Sequence, residues 1–237
     1  DIGAFIGHYA CYVSKFLNYD LPVYALESNK EFCEDLKKSA SLSNISNIEI
    51  INAILSNKKE ELFVYDVGVV NPKDIESKKS DDQEYLKKVH KFGKKFDATT
   101  LDDVFKDKEH IPNILKMDVH GAEGKILAGS NKLLSNNIKY LLMELHTDND
   151  LKKFSPGFSK VKIIQNLIEN DFNCYLISPH SDGFRNLYSA QDDVQKLYLN
   201  NTNKLEYYKI EKDSIEGTLY DRNFSDIFVL VIKKDID

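Results

Sequence analysis

The segment DIGAFIG, residues 1–7, opens the chain and decides how the rest is read. Gly3 and Gly7 stand in GxxxG spacing after an acidic residue, and an amphipathic helical pattern follows at once. Glycine lacks a Cβ, so a turn built on two of them folds the main chain tightly at a helix N-terminus, where free N–H groups can receive a nucleoside cofactor. A turn of this kind normally follows a buried strand. It begins here at residue 1 with no initiator Met, so the chain reads as a fragment whose first strand is largely missing.

Outward from the turn, strands and helices alternate. Ala10, Val13, Phe16 and Leu17 recur at helical spacing, and LPVYAL (Leu21 to Leu26) reads as a short buried strand ending at Glu27. Ser28 or Asn29 can cap a second helix through about Ser41, with Phe32, Leu36 and Ala40 on one face. IEIINAIL (Ile48 to Leu55) is the next strand, and LFVYDVGVV (Leu62 to Val70) is a β-rich run joined to it by a polar connection, as a hairpin or an added edge strand.

After a charged stretch from Asn71 to Asp97 the alternation resumes. ILKMDV (Ile114 to Val119) is a strand, Ala122 to Leu134 a helix and YLLMELH (Tyr140 to His146) a strand. A helix marked by Val161, Ile164, Leu167 and Ile168 follows, then strands NCYLIS (Asn173 to Ser178) and DIFVLVI (Asp226 to Ile232). Such alternation predicts an α/β fold with a mostly parallel central sheet, helices on both faces and ligands at the carboxyl ends of the strands. The chain reads as one domain over residues 1–237 with insertions at about 71–97 and 180–225. The first is a solvated loop or a substrate-gripping lid, and the second is long enough to cover a site.

Composition narrows the classes. A chain of 237 residues with 42% hydrophobic residues can bury a core without disulfide or metal staples. Cys11, Cys33 and Cys174 form no CxxC pair and lie in apolar stretches, which fits buried thiols in a reducing, cytoplasmic setting. The 32 Lys and Arg against 38 Asp and Glu give a net charge of -6, which repels a nucleic-acid backbone and argues against that partner. The sequence contains no apolar run long enough for a membrane span and no visible signal peptide. Oligomeric state is not legible.

Two common nucleotide signatures fail at the first turn. A GxGxxG anchored at Gly3 would need glycine at Phe5 and His8, and a P-loop would need GK followed by Ser or Thr. DxGxxxG followed by an acidic residue ending the next strand resembles the class I S-adenosylmethionine-dependent methyltransferases. With no pyrophosphate to cradle, fewer glycines are needed, and the Glu27 carboxylate can accept both ribose hydroxyls. Asp1 would face the cofactor's ammonium end, Ser28 follows Glu27, and Asn52 and Ala53 end the third strand, where related folds contact adenine.

Four segments in order make the resemblance specific: DIGAFIG, ALESN, TLDDVF followed by ILKMDVHGAEGKILAG, and LLMELH. Together they resemble the FkbM family of methyltransferases, most particularly in LKMDVHGAE. Ser28 stands where that family usually has Pro, and His120 where it usually has an acidic residue. The resemblance implies a Rossmann-like class I methyltransferase fold, S-adenosyl-L-methionine as cofactor, and methyl transfer to a hydroxyl oxygen of a sugar, glycan or small-molecule natural product. The rival readings are a nicotinamide-dependent oxidoreductase and a catalytically degenerate scaffold.

Methylating an alcohol requires in-line positioning and removal of the hydroxyl proton. Asp118, His120, Glu123, Glu144 and His146 cluster at the ends of the fourth and fifth strands, and the expected catalytic group is drawn from Asp118, Glu144 and His146. Asp118 has a second reading as the cap of the following helix. Glu144 and His146, two apart on a strand, share a face and can equally form a structural hydrogen bond. The same three side chains offer ligands for a divalent ion, but their spacing is not diagnostic and no metal is assigned. His8 and Tyr9 read as packing or capping residues, and His90, His110 and His180 as surface residues.

Overall fold

The computed structural model describes residues 1–17, 21–65, 68–70, 94–178, 195–198, 204–220 and 226–234. Helix α1 (His8–Phe16), strand β1 (Val23–Glu27), helix α2 (Lys30–Leu42) and strand β2 (Ile48–Asn52) follow the glycine turn. β1 and β2 pair in parallel from Val23↔Ile48 to Glu27↔Asn52. Ile2 is bridged in parallel to Leu26 on one side and to Met117, the last residue of β7 (Ile114–Met117), on the other. Residues 1–3 therefore occupy the centre of the sheet, between β1 and β7. Their ladder includes Leu26 N–H to Asp1 O at 2.8 Å, Ile2 N–H to Lys116 O at 2.9 Å and Asp118 N–H to Ile2 O at 3.0 Å.

β7 pairs in parallel with β8 (Tyr140–Leu145). Beyond β8 the direction changes, because β12 (Ile227–Lys233) lies antiparallel between β8 and β9 (Phe172–Ser178). β11 (Lys204–Ile210) and β10 (Gln195–Tyr198) extend that edge, each antiparallel to its neighbour. The strands around the site are thus parallel, as the alternation predicts, and the antiparallel part is added from the C-terminal segment. The architecture is a Rossmann-like α/β fold.

A smaller sheet has the order β3-β6-β4-β5, with β3 (Ile54–Leu55), β4 (Glu60–Tyr65), β5 (Gly68–Val70) and β6 (Lys94–Thr99). The strand expected from Ile48 to Leu55 is therefore two strands in different sheets. Ala53 separates them, its N–H donating to Glu27 O at 3.1 Å and pinning the corner to the end of β1. The run from Leu62 to Val70 likewise divides into β4 and β5, which pair antiparallel. Of the expected insertion at 71–97, residues 94–97 begin β6 and 71–93 lie outside the described residues. The second insertion contains β10, β11, a short 3-10 helix (Lys212–Ser214) and α8, with residues 215–220.

Between these strands lie α3 (Leu101–Phe105), α4 (Glu123–Ala128), α5 (Asn131–Asn136), α6 (Asp148–Phe154) and α7 (Lys160–Glu169). The helix expected from Ala122 to Leu134 breaks into α4 and α5 at Gly129 and Ser130. Gly129 packs so closely on the chain that an added Cβ would lie 2.3 Å from Ser56 O. The Ser130 hydroxyl donates back to Ile126 O at 2.5 Å, a kind of bond that weakens and bends a helix. Asp102 of α3 then accepts from the N–H groups of Lys132 and Leu133 and anchors the start of α5.

β1 divides its side chains between two cores. Tyr24 and Leu26 join the large cluster that includes Leu115, Met117, Leu141, Met143, Val229 and Val231, while Val23 and Ala25 pack with Ala4, Ala10 and Leu36. A strand buried on both faces in this way is the mark of a sheet covered by helices on both sides. On α1 the buried positions are Ala10 and Ser14, whereas Val13 and Phe16 are exposed. The reason is close approach: small side chains let α1 lie on the sheet, with the Ser14 hydroxyl donating to Asn47 Oδ1. Among the described residues no helix is long and apolar enough to cross a membrane.

Candidate active site

The glycine turn is bound to the carboxyl end of β1. Gly3 and Ala4 both donate their N–H groups to Leu26 O at 3.0 Å. Gly3 has φ +78°, and a Cβ there would lie 1.8 Å from the Asp118 carbonyl oxygen. No other residue type fits. Phe5 is also left-handed, at φ 50°, and this orientation lets its N–H donate to Glu27 Oε2 at 2.9 Å.

Glu27 is 8% exposed. Its Oε1 accepts from Asn29 N–H at 2.8 Å and from the Ser28 hydroxyl at 3.3 Å. Asn29 is the residue that caps α2, accepting from Glu31 N–H at 2.8 Å. The carboxylate is therefore oriented by backbone from two elements, and of the roughly four acceptor positions on its two oxygens three are in use, that of the Ser28 hydroxyl only at 3.3 Å, and one on Oε2 is open.

A cavity of about 990 Å³ opens at this edge, lined by Gly3, Glu27, Phe32, Ala53, Asp118 and His120 among others. Of the residues expected to bind a cofactor, Gly3, Glu27, Ser28 and Ala53 line it. The other three have different surroundings. The Asp1 carboxylate pairs with Lys116 at 3.2 Å and is 5% exposed. Gly7, at φ +88°, sits against Leu36, whose Cγ would be 2.6 Å from an added Cβ, so it lets α1 pack on α2. The Asn52 amide donates to Glu27 O and Ser28 O at 2.9 and 3.0 Å, tying together the ends of β1 and β2.

Sequence reasoning missed an aromatic wall: Phe5 and Phe32 line the cavity and meet edge to face with ring centroids 4.5 Å apart. Phe32 was legible as an apolar helix position. Its pairing with Phe5 depends on the left-handed turn.

The second half of the site is built from side chains. β7 delivers Asp118 and β8 delivers Glu144 and His146. His146 is 5% exposed, and its Nδ1 lies 2.6 Å from Glu123 Oε1. Glu123 is fully buried at the start of α4, and the same oxygen accepts from Gly121 N–H at 3.1 Å. His146 Nε2 faces Asp118 Oδ1 at 3.8 Å. His120, left-handed at φ 52°, brings its ring centroid within 4.7 Å of the His146 ring. α4 takes Ala122 as its N-cap with no side-chain bond, so Asp118 is not spent as a helix cap.

Charges shape this cluster. Burial works against a protonated His146, but the Glu123 hydrogen bond and charge outweigh it and raise the imidazole to about 8. Burial raises the Glu144 carboxyl above its ordinary range, and Asp118 and Asp226 push it further. Burial lowers the Lys116 ammonium, against the pull of Asp118.

Asp226 was not anticipated. It immediately precedes β12, whose pairing of Ile227 with Leu145 brings it beside Glu144 and His146, with donor atoms of all three within 4.8 Å of one another. Nothing local in the sequence signals that contact. Asp118, His120 and His146 form a second group within the same limit.

A glycine turn between parallel strands, a carboxylate ending the next strand and a cavity at the strands' carboxyl ends define a Rossmann-like type of α/β protein. The family pattern of the methyltransferase FkbM domain matches residues 1–174. The chain belongs to that family. No curated protein matches it by sequence.

Among solved structures it is similar to the methyltransferase FkbM from Methylobacillus flagellatus KT, at 14% identity and TM-score 0.44, over 88% of this chain and 42% of that one. It is also similar to precorrin-6y C5,15-methyltransferase from Geobacter metallireducens GS-15, at 10% identity and TM-score 0.44, over 99% and 78% of the two chains. A third similar structure is the YcgJ protein from Bacillus subtilis, at 11% identity and TM-score 0.42, over 100% and 91%. The chain thus spans about two fifths of the length of the Methylobacillus protein.

Proposed function

We propose that this chain, acting as a single domain, is an S-adenosylmethionine-dependent methyltransferase that methylates a hydroxyl oxygen of a sugar, glycan or small-molecule natural product. The observation that carries the reading is Glu27: a cavity-lining carboxylate at the end of β1, held by the N–H groups of Phe5 and Asn29. That is the chemistry a ribose diol needs, two acceptor oxygens in fixed orientation. Gly3 lines the same cavity, and the absence of its Cβ lets the turn pass the Asp118 carbonyl and keep its place at the cavity edge.

Such a cofactor would supply a methyl group on a positively charged sulfur for transfer to the acceptor oxygen. Glu27 would hold the ribose, Ser28 and Ala53 would line the nucleoside, and Phe5 and Phe32 would shield it from water. The hydroxyl proton must leave the acceptor, and Asp118, Glu144 and His146 are the groups we assign to receive it, His146 only as pH rises through about 8, below which its ring already carries a proton. His146 carries the Glu123 carboxylate behind its far nitrogen, an arrangement that holds the ring in place.

Calorimetry on the full chain tests the cofactor. S-adenosylhomocysteine is expected to bind and NAD not to bind, and Glu27→Ala is expected to weaken S-adenosylhomocysteine at least tenfold. Binding of NAD in its place would overturn the reading in favour of an oxidoreductase. With an acceptor in hand, substitution of the proton-accepting residue should abolish turnover while leaving cofactor affinity intact. Retained turnover in Asp118→Ala, Glu144→Ala and His146→Ala alike would remove the assigned base.

A further inference from the structure

We propose that Asp118, His120 and His146 form a binding site for a first-row divalent metal ion at the edge of the cofactor cavity. One ligand atom from each residue lies within 4.8 Å of the other two. Asp118 Oδ1 and His146 Nε2 are 3.8 Å apart, too far for a hydrogen bond yet within the span of two ligands that each approach one ion at about 2.0–2.2 Å. Asp118 Oδ1 is a buried atom with no hydrogen-bond partner among the described residues, which is the cost a missing cation would explain.

The surroundings of His146 point the same way. Glu123 Oε1 holds Nδ1 at 2.6 Å, so the imidazole presents Nε2, and Glu123 is itself buried and fixed by the Gly121 N–H. A carboxylate behind the non-ligating nitrogen is how metal-binding histidines are oriented and made better donors. Two imidazoles and one carboxylate suit Mn²⁺, Fe²⁺, Co²⁺ or Zn²⁺ and leave coordination positions open for a substrate oxygen.

A competing group, Glu144, His146 and Asp226, shares the same histidine. The geometry favours the first set because Asp118 and His120 line the cavity. Its consequence rests on the methyl-transfer reading: an acceptor hydroxyl bound to the ion gives up its proton more readily, and Glu144, on the same side of β8 as His146, is the carboxylate left to take it.

The untagged full chain, stripped with chelator and titrated with Co²⁺, tests the site by visible absorption and calorimetry. One Co²⁺ per chain is expected, with His120→Ala and Asp118→Asn each weakening binding at least tenfold. Glu123→Gln, which keeps the ring's partner but not its charge, is expected to weaken it about 10–100-fold with an unchanged circular dichroism spectrum. Failure of the folded protein to bind Co²⁺, Mn²⁺ or Zn²⁺ would overturn the proposal. So would undiminished binding in both His120→Ala and Asp118→Asn, or loss confined to Asp226→Asn. S-adenosylhomocysteine binding is measured on the same samples. Metal binding without it leaves the metal site standing and removes the methyl-transfer reading, and cofactor binding without metal removes only the metal.

Discussion

The turn at residues 3–7 and the cluster around His146 adjoin one another at Asp118, yet they are built on different principles. In the turn, backbone does the work: Gly3 and Ala4 donate to Leu26 O, and Phe5 donates to Glu27, so even the key carboxylate is aimed by main-chain N–H groups. In the cluster, side chains from β7, β8, α4 and the lead-in to β12 meet, and their charges shift one another. A backbone-built half tolerates little change of residue type where main chain meets main chain, as Gly3 does at the Asp118 carbonyl. A side-chain-built half depends on each distant element arriving in register.

Substitutions can break this comparison on either side. The largest effect is expected for Gly3→Ala, because the new Cβ would lie 1.8 Å from the main-chain oxygen of Asp118, just past β7, at a positive φ. We expect a loss of more than about 4 kcal/mol in urea unfolding, together with loss of S-adenosylhomocysteine binding. A stable Gly3→Ala protein would show that the turn is adaptable.

On the other side, Glu123→Leu removes the buried partner of His146. It should cost about 3 kcal/mol by the same measurement, and Glu123→Gln less, since Gln keeps a hydrogen-bonding oxygen. Equal costs for Leu and Gln would mean that Glu123 acts through packing rather than through its bond to the ring.

Asn52→Ala probes the boundary of the backbone-built half. It removes two bonds to the carbonyls of Glu27 and Ser28 and should cost about 1 kcal/mol. A several-fold loss in S-adenosylhomocysteine affinity is expected with it, as the end of β1 loosens. An unaltered affinity would show that Glu27 is held by Phe5 and Asn29 alone.

The smallest effect is on the thiols, none of which belongs to either half. Burial pushes Cys174 up to about 12 and raises Cys33 as well. A thiol held that high is almost wholly protonated, hence unreactive, near neutral pH. A disulfide reagent at pH 8 should therefore modify at most the half-exposed Cys11 in the native protein and all three cysteines in urea. Rapid native labelling of Cys174 would mean that β9 opens readily.

Much of the fold was legible. The period of apolar residues located β1, α2, β7 and β8, and the strand-helix alternation implied the parallel pairing around residues 1–3. Where the reading differed, local chemistry had yielded to tertiary contact. The strand from Ile48 to Leu55 continues as a pattern, but Ala53 is drawn onto Glu27 O and the two parts enter different sheets. Val13 and Phe16 have the helical spacing of a core face, but the sheet receives the small residues Ala10 and Ser14 instead.

Residue spacing by itself determined the glycine turn, the strand ending in Glu27 and the places of Asp118 and His146 at the carboxyl ends of their strands. These follow from short-range rules, the side-chain periods of helix and strand and the backbone freedom of glycine. Only the tertiary structure decided that Glu123 lies behind His146, that Phe5 meets Phe32, and that Asp226 arrives beside Glu144 through the antiparallel pairing of β12. Those contacts depend on strand order and on where long connections return, and the order in which neighbouring strands assemble is not encoded in the spacing within any one of them.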